Sequence, residues 1–391
     1  MLIQDPIHGY IQLDGLEMSI LDTEEFQRLR RIKQLGFSNL VYPSATHTRF
    51  EHSLGSTYLA GKFAEYLDID DSSRKHLRAA SMLHDIGHGP FSHTSEEIFL
   101  EKGMSHEDFS KKKIRRESVS EVLEEHGVNP EKVISLIEGE GELGQIIAGD
   151  IDIDRMDYLM RDAHYSGVAH GVIDDETIMR AATFREGKLV FKEKFKPALE
   201  GLLTARYLMT PTVYMHRAVM RAEKMMERAI EELMESEDLG VEKIAYMDDI
   251  DLKYRLRNTE NDRARFLNEC LDNRRVFKPA FELDNTVLSR EELRNVIEEV
   301  GTERDIEESI AEGAGVDVKN LVVDVPPIPK KSVVKVDVLR DNEIVGLSDI
   351  SNICSSISKS VWENTSLSVY CKRDMVETVE ESARDFFDFV G

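Results

Sequence analysis

Cysteine is scarce in this chain, with three residues, Cys270, Cys354 and Cys371, among 391. They stand far apart and make no CxxC pair, which excludes a disulfide framework and a cysteine zinc site. Any metal must then rely on histidine and carboxylate ligands. Long apolar runs are missing too: nothing approaches the roughly 18 residues of a membrane-spanning helix. The opening "MLIQDPIHGY" lacks the basic and apolar regions of a signal peptide, so the expectation is a cytoplasmic protein with no membrane partner. Basic charge is in deficit, 50 Lys and Arg against 75 Asp and Glu, for a formal charge of −25. That balance argues against a broad nucleic-acid-binding face. An anionic substrate then requires a locally positive pocket, which makes each arginine near a site informative. The single basic cluster, "KKKIRR" at 111–116, reads as a solvated helix segment or loop. Internal repeats and low-complexity tracts are lacking.

Hydrophobic residues at 41% and charged residues at 32% fit a globular chain of roughly two to three domains. Residues 1–13 read as short strands around a turn at His8-Gly9. A helix is predicted from Thr23 to Leu35, capped by Asp22/Thr23 and stopped by Gly36. Thr48 and Glu51 make a capping box that starts a helix at Arg49. Residues 74–88 look helical up to the Gly87/Gly89-Pro90 break, and helical patterns recur at 117–126, 150–162, 174–182, 198–208 and 213–236. Beyond about residue 240, helices at 260–272 and 290–299 alternate with strand-like runs at 320–325, 332–339 and 366–372, with "PPIPKK" (326–331) between two of them. The expected fold class is mainly α: a helical domain over 1–235, then a smaller C-terminal α/β region over 236–391.

The chemistry concentrates in "SMLHDIGHGPFSH" (81–93) and "GDIDIDRMDYLMRDAHYSG" (149–167). On a helix at 100° per residue, Tyr158, Asp162 and Arg155 fall about 40°, 80° and 100° from Asp154, opposite the apolar stripe of Ile153, Met156, Leu159 and Met160. A solvated acidic face is the plain reading of such a helix, but three histidine-bearing segments elsewhere need a carboxylate partner. Neighbours His84 and Asp85 reach one ion only from a helix end, with further ligands arriving from other helices. His52 and Asp154 are the natural donors. Two imidazoles and two carboxylates suit one divalent metal ion, with Mn, Mg, Fe, Zn and Ni not distinguished.

These residues stand in the order of the HD phosphohydrolase superfamily. The blocks "DPIHGYIQL", "EFQRLRRIKQLG", "THTRFEHSLG", "HDIGHGPFSH" and "DIDRMDYLMRD" resemble its dNTP triphosphohydrolase branch, an HD-domain helical bundle, over most of residues 4–217; "NRRVFK" and "VVDVPPIPKK" extend a fainter likeness. The resemblance implies hydrolysis of a dNTP at the α-phosphorus, giving deoxynucleoside and triphosphate. It implies His52, His84, Asp85 and Asp154 as metal ligands and His93 as the proton donor to the leaving group, with Glu96 as the carboxylate orienting it. It also places His88 and His106 along the phosphate channel, Arg49, Arg155 and Arg206 on phosphate, and Gln34 and Leu35 at the sugar. Tyr158 and Asp162 would read the 2′ and 3′ positions, and Tyr214 would pack on the base. Asp22, Gln27 and Arg30 match guanine-reading residues of allosteric relatives, with Lys192 and Lys194 as substitute phosphate contacts, so a guanine-nucleotide effector and a homo-oligomer, dimer or tetramer, are expected.

The departures bear on specificity. Thr210 replaces a base-proximal His and is followed by Pro211, Gln4 replaces an Asn, "GVIDDETIM" lacks an expected Arg, and the sterile-alpha-motif domain of some relatives is not expected. Two other readings stand beside the first: an HD phosphohydrolase acting on a nucleoside monophosphate or cyclic nucleotide, and a nucleotide-binding module without catalysis. A metalloprotease reading of His-Asp-x-x-His fails, because Gly87, Gly89 and Pro90 break the helix and Asp is a methylene short of Glu.

Overall fold

The structure is a computed structural model and describes residues 1–284, 301–325, 334–360 and 366–387. The helix expected over 290–299 lies outside these residues, as does all of "PPIPKK" (326–331). Two compact units interleave along the chain, one of Met1–Tyr214, Val241–Ile250 and Val333–Ser358, the other of Met215–Gly240, Asp251–Ser332 and Lys359–Gly391.

The first unit opens with an antiparallel hairpin, β1 (Leu2–Asp5) and β2 (Gly9–Gln12). Two short helices follow, α1 (Gly15–Leu21) and α2 (Glu24–Arg28). Thr23 caps α2 as expected, accepting from the Phe26 N–H, but the helix tightens to a 3-10 turn at Leu29–Arg31 and does not reach Leu35. Tertiary pairing wins there: the Arg49 and Gln34 N–H groups bond to Ile32 O and His47 O, laying 32–34 beside 47–49. The capping box of Thr48 and Glu51 starts α3 (Arg49–Tyr66), whose buried residues point all round it. A helix apolar on every side belongs in the middle of a bundle, and α3 occupies that place. Against it pack α4 (Asp71–Leu83), capped by Asp70, and α10 (Ile153–Ser166), capped by Asp152 and closed by Gly167 at φ 74°. Between them run α5 (His93–Glu101), α6 (His106–Ile114), α7 (Glu117–Glu125), α8 (Pro130–Ile137) and α9 (Gly141–Ile147), then α11 (Asp175–Ala181) and α12 (Lys196–Met209). Phe50, Leu54, Leu59 and Phe63 of α3 meet Leu77, Met82 and Leu83 of α4 and Met156 and Leu159 of α10 in one core, each contributing about 1.5–3 kcal/mol by leaving water.

Sequence reading overlooked a hairpin, β3 (Ala182–Arg185) with β4 (Lys188–Lys192). It also placed the run 332–339 in the C-terminal region. That run supplies β7 (Asp337–Arg340), which lies parallel to β4 and antiparallel to β8 (Glu343–Gly346), giving a sheet of order β3-β4-β7-β8 within the first unit. In the second unit, α13 (Arg217–Glu237) packs on the helix Asp262–Asp272. Its sheet has the order β5-β9-β6, from Lys278–Asp284, Ser366–Cys371 and Leu321–Asp324, and carries the helices Glu303–Ala314 and Val376–Phe387. The chain is mainly helical with small sheets, as its sequence leads one to expect. None of the described helices is long and apolar enough to cross a membrane.

The α3–α10 contact depends on Gly55. A Cβ built there would lie 1.8 Å from Asp157 Oδ1 and 2.4 Å from Arg161 Nη2. Gly55→Ala is therefore expected to destabilise the first unit by about 1–3 kcal/mol, the scale of overpacking. A urea melt checks it, and an unchanged midpoint would show that the two helices separate without cost.

Candidate active site

The segment carrying His84, Asp85 and His88 leaves the end of α4 as a tight turn laid on α6. Ser110 of α6 holds it, with Oγ donating to His84 O (2.8 Å) and accepting from the Gly87 N–H (2.9 Å). A Cβ on Gly87 would fall 2.0 Å from His106 O and 2.3 Å from Ser110 N, so this glycine serves close approach. His52 comes from the first turn of α3 and Asp154 from the first turn of α10.

The four expected metal ligands converge. His52 Nε2 stands 3.3 Å from His84 Nε2, 3.0 Å from Asp154 Oδ1 and 3.6 Å from Asp85 Oδ2. His84 Nε2 lies 3.4 Å from Asp85 Oδ1 and 3.6 Å from Asp154 Oδ1. The opposite ring nitrogens are committed: His52 Nδ1–H donates to Asp157 Oδ2 (2.8 Å) and His84 Nδ1–H to Ser81 O (2.7 Å). Both Nε2 atoms thus turn lone pairs toward two carboxylates. Four acceptors facing one another require a proton or a cation between them. Burial opposes a charge on His52, yet Asp154 and Asp157 outweigh it and lift its pKa to about 10. His84 is raised against burial by Asp85 and Asp154. A His-His-Asp-Asp donor set of this kind fits a divalent cation, which would replace those protons.

Around this cluster stands a ring of polar groups. Arg49 Nη1 donates to Asp85 Oδ2 (2.7 Å), and its Nε donates to Ser92 Oγ (3.1 Å). Arg49 Nη2 is buried with no partner among the described residues. Burial would raise the Asp85 carboxyl, but Arg49, His84 and His88 hold it well below the usual carboxylate range. His88 Nε2 lies 3.3 Å from Asp85 Oδ1, and its ring stacks on His106 with centroids 4.0 Å apart. Burial, Arg49 and His106 push the His88 pKa far down. Glu96 accepts from the His106 N–H (3.1 Å) and faces its Nδ1 at 3.0 Å. The carboxylate expected to orient His93 is thus engaged with His106, because α5 turns Glu96 toward the start of α6. His93 begins α5 as an exposed residue. Crowding by protein, then Arg49 and His106, lower its pKa to about 4.

The remaining predicted residues fall into two groups. Asp162 accepts from His47 Nε2 and Tyr214 OH, both at 2.8 Å, while Tyr158 meets the rings of His52 and Tyr214 edge-on. Tyr214 ends a π-helical turn, Thr210–Tyr214, into which Pro211 breaks α12. Gln34 and Leu35 are buried, and Gln34 Oε1 is left without a partner among the described residues. On the other side, a cavity of about 600 Å³ reaches His84, His106, Asp154 and Arg155. Arg155 pairs with Asp152, and both Arg155 and Arg206 face Asp150 at 3.9 and 3.7 Å. Asp22 closes α1, Gln27 lies on α2 and Arg30 in the 3-10 turn after it. Gln27 reaches back to Leu21 O, and Arg30 bonds Gln27 and lies 3.5 Å over the Phe50 ring. Lys192 and Lys194 are exposed.

Sequence reasoning passed over Asp157, His8 and Arg161. Asp157, 0% exposed, accepts from His8 Nε2 (2.7 Å) and from Arg161 Nε and Nη2 (both 2.9 Å), and Arg161 Nη1 continues to Asp5 (2.7 Å). The signal was on the helical wheel, where Asp157 and Arg161 flank Asp154 by about 60° and 20°.

Known proteins echo this arrangement. The HD domain family model matches residues 49–162, and the HD associated region matches residues 173–390. An uncharacterised protein of Methanocaldococcus jannaschii is 36% identical over 97% of this chain and 81% of its own length. The deoxynucleoside triphosphate triphosphohydrolase SAMHD1 homolog of Dictyostelium discoideum is 35% identical over 59% of this chain and 49% of its own; human SAMHD1 is 36% identical over 43% and 33%. This chain therefore spans half or less of those two relatives. Among solved structures, a phosphohydrolase from Bacteroides thetaiotaomicron is 27% identical with a TM-score of 0.76, covering 95% of this chain and all of that one. With its His/Asp cluster built as described and these matches along nearly its whole length, the chain belongs to the HD-domain superfamily of metal-dependent phosphohydrolases.

Proposed function

We propose that the chain is a dNTP triphosphohydrolase, cleaving the bond between the α-phosphorus and O5′ to release deoxynucleoside and triphosphate. The observation that carries this reading is Arg49. One arm of its guanidinium is bound to Asp85 within the His/Asp cluster, and the other presents buried, unpartnered N–H groups beside the same cluster. The N–H groups left on Nη2 suit a phosphate oxygen, a common arginine partner. The printed names of the SAMHD1 relatives favour a dNTP among nucleotides.

When bound by His52, His84, Asp85 and Asp154, a single divalent ion supplies a Lewis acid and a poised water. Arg49 takes a phosphate oxygen and orients the α-phosphorus, while His88, His106, Arg155 and Arg206 receive the rest of the triphosphate. His93 protonates O5′ as it leaves. Its low pKa arises partly from Arg49 and His106, and the charge of an incoming triphosphate opposes both, so the ring gains its proton as substrate binds. Glu96 acts one step back, positioning His106. Gln34 Oε1, Leu35, Tyr158 and Asp162 hold the deoxyribose, and Tyr214 the base. Asp22, Gln27 and Arg30 form the guanine-nucleotide effector site of a cytoplasmic homo-oligomer, with Lys192 and Lys194 on its phosphates and with the C-terminal region serving assembly or regulation. The acidic lining of the cavity, with Glu107, Asp150 and Asp152, favours a second reading: a less charged nucleotide, such as a monophosphate.

Product analysis over the four dNTPs and rNTPs with Mn or Mg, with and without GTP, is expected to give deoxynucleoside and triphosphate from dNTPs. Orthophosphate or pyrophosphate as the sole phosphate product would overturn cleavage at the α-phosphorus. His84→Ala/Asp85→Ala should abolish both turnover and Mn uptake measured by calorimetry; full retention of either would refute the ligand assignment. His93→Ala should lower kcat by about 10²–10⁴-fold, the usual contribution of a positioned acid, while Mn uptake stays unchanged.

A further inference from the structure

The basic cluster at 111–116 contains a residue unlike its neighbours. Lys111, Lys112 and Arg115 make surface ion pairs with Glu138, Glu242 and Glu131, but Lys113 is 0% exposed. Its Nζ donates to Ile86 O (3.1 Å) and Ala245 O (2.8 Å). Arg28, also buried, donates to Ile86 O (2.9 Å), His88 O (2.6 Å) and Met247 O (2.7 Å). Two buried basic side chains therefore lie between the turn bearing the metal ligands and residues 245–247, a stretch at the end of α14 (Val241–Ala245) that the catalytic reading leaves unused.

The same stretch reaches a second turn. Asp249 Oδ1 accepts from the Phe91 N–H (2.8 Å) and Oδ2 from the Lys33 N–H (3.1 Å). Phe91 and Ser92 have φ of 57° and 41°, a left-handed conformation that costs a non-glycine residue and persists only where surroundings enforce it. The enforcing contacts are on hand: Asp249 on the Phe91 N–H, Ser92 Oγ donating to Lys33 O (3.0 Å), and Phe91 stacked on Phe37 with centroids 5.2 Å apart. His93 is the next residue. Burial raises the Asp249 carboxyl to about 6 against the two backbone donors, so at neutral pH it is ionised and accepts at both oxygens. Asp248 is paired with Arg31, which ties the stretch to the 3-10 turn after α2.

We propose that residues 245–249 are a strap that positions both catalytic turns, with Asp249 the positioning residue that sets His93 through the Phe91–Ser92 turn without touching substrate. The inference rests on the reading of His93 as the acid, and deepens it. Displacing a reacting group by about 1 Å from a remote site can cost on the order of 10²-fold in rate, and the Phe91 N–H is the contact by which Asp249 would do so.

A double-mutant cycle on the Mn-loaded 391-residue chain tests it, with dNTP turnover, Mn uptake and far-UV circular dichroism as readouts. Asp249→Ala should lower kcat by about tenfold or more, with KM and Mn affinity within about twofold. In the His93→Ala background the same substitution should change kcat by less than about twofold, because residues acting as a unit are not additive. Asp249→Asn keeps the shape and one acceptor, and guards against loss of folding in the alanine variant. It should show an intermediate loss that likewise vanishes when His93 is alanine. A loss that persists undiminished in the His93→Ala background, or unchanged kcat in both Asp249 variants, overturns the strap. Unchanged kcat in His93→Ala alone instead overturns the acid assignment, and the inference falls with it.

Discussion

Asp157 takes four N–H groups on two carboxylate oxygens, from His52, His8 and two nitrogens of Arg161, with no exposure to water. A carboxylate stripped of water is tolerable only when paired and hydrogen-bonded throughout. Burial alone would raise this group, but Arg161 and the two histidines hold it far below its ordinary range. From that one satisfied charge much else follows. It fixes the His52 tautomer, so that Nε2 faces inward. It requires Gly55, since no side chain fits beside it. It also draws the β1–β2 turn onto the bundle through His8 and, by way of Arg161, through Asp5. The first ten residues of the chain are thus structural partners of a ligand more than forty positions away in sequence.

The charge pattern inside the bundle inverts that of the whole chain. At −25 overall, the protein nevertheless buries Arg28, Arg49, Lys113 and Arg161 in its first unit. Each has a distinct task set by its acceptors. Arg161 neutralises Asp157 and Asp5. Arg49 binds Asp85 and keeps donors in hand. Arg28 and Lys113 bind backbone carbonyls, and both have lowered pKa values because burial dominates. Bound to carbonyl oxygens, these two side chains fix the backbone without engaging the carboxylates of Asp85 and Asp154.

How far the sequence revealed this depended on the range of the forces involved. The Thr48–Glu51 capping box, the Thr23 cap, the His8-Gly9 turn and the apolar stripe of α10 are short-range patterns, and each appears where it was read. The end of α2 was misjudged because the pairing of 32–34 with 47–49 is tertiary. Glu96 was given to His93 by the family resemblance, while the fold bonds it to His106, ten residues on. The strand Asp337–Arg340 was placed with its sequence neighbours, yet β4, flanked by polar ends, offers a free edge that only the folded chain brings near. Lys113 looked like part of a solvated cluster because nothing local separates a lysine that meets carbonyls from one that meets water.

That returning strand also bears on how Arg155 and Arg206 are placed. Just before β7, the Lys335 N–H donates to Asp150 Oδ2 at 2.7 Å. The other oxygen, Oδ1, faces Arg155 and Arg206 at 3.9 and 3.7 Å, beyond hydrogen-bond length. Asp150 therefore attracts both guanidinium groups without engaging their donors. A carboxylate free to swing would close that gap and occupy the arginines, but the backbone bond from Lys335 restrains it. Arg155 is meanwhile bonded to Asp152, so an oxygen-rich anion would have to displace that carboxylate to engage its guanidinium fully. The parallel pairing of β4 with β7 is what sets that restraint, so the sheet that looked incidental to a helical bundle tunes the charged wall of its cleft.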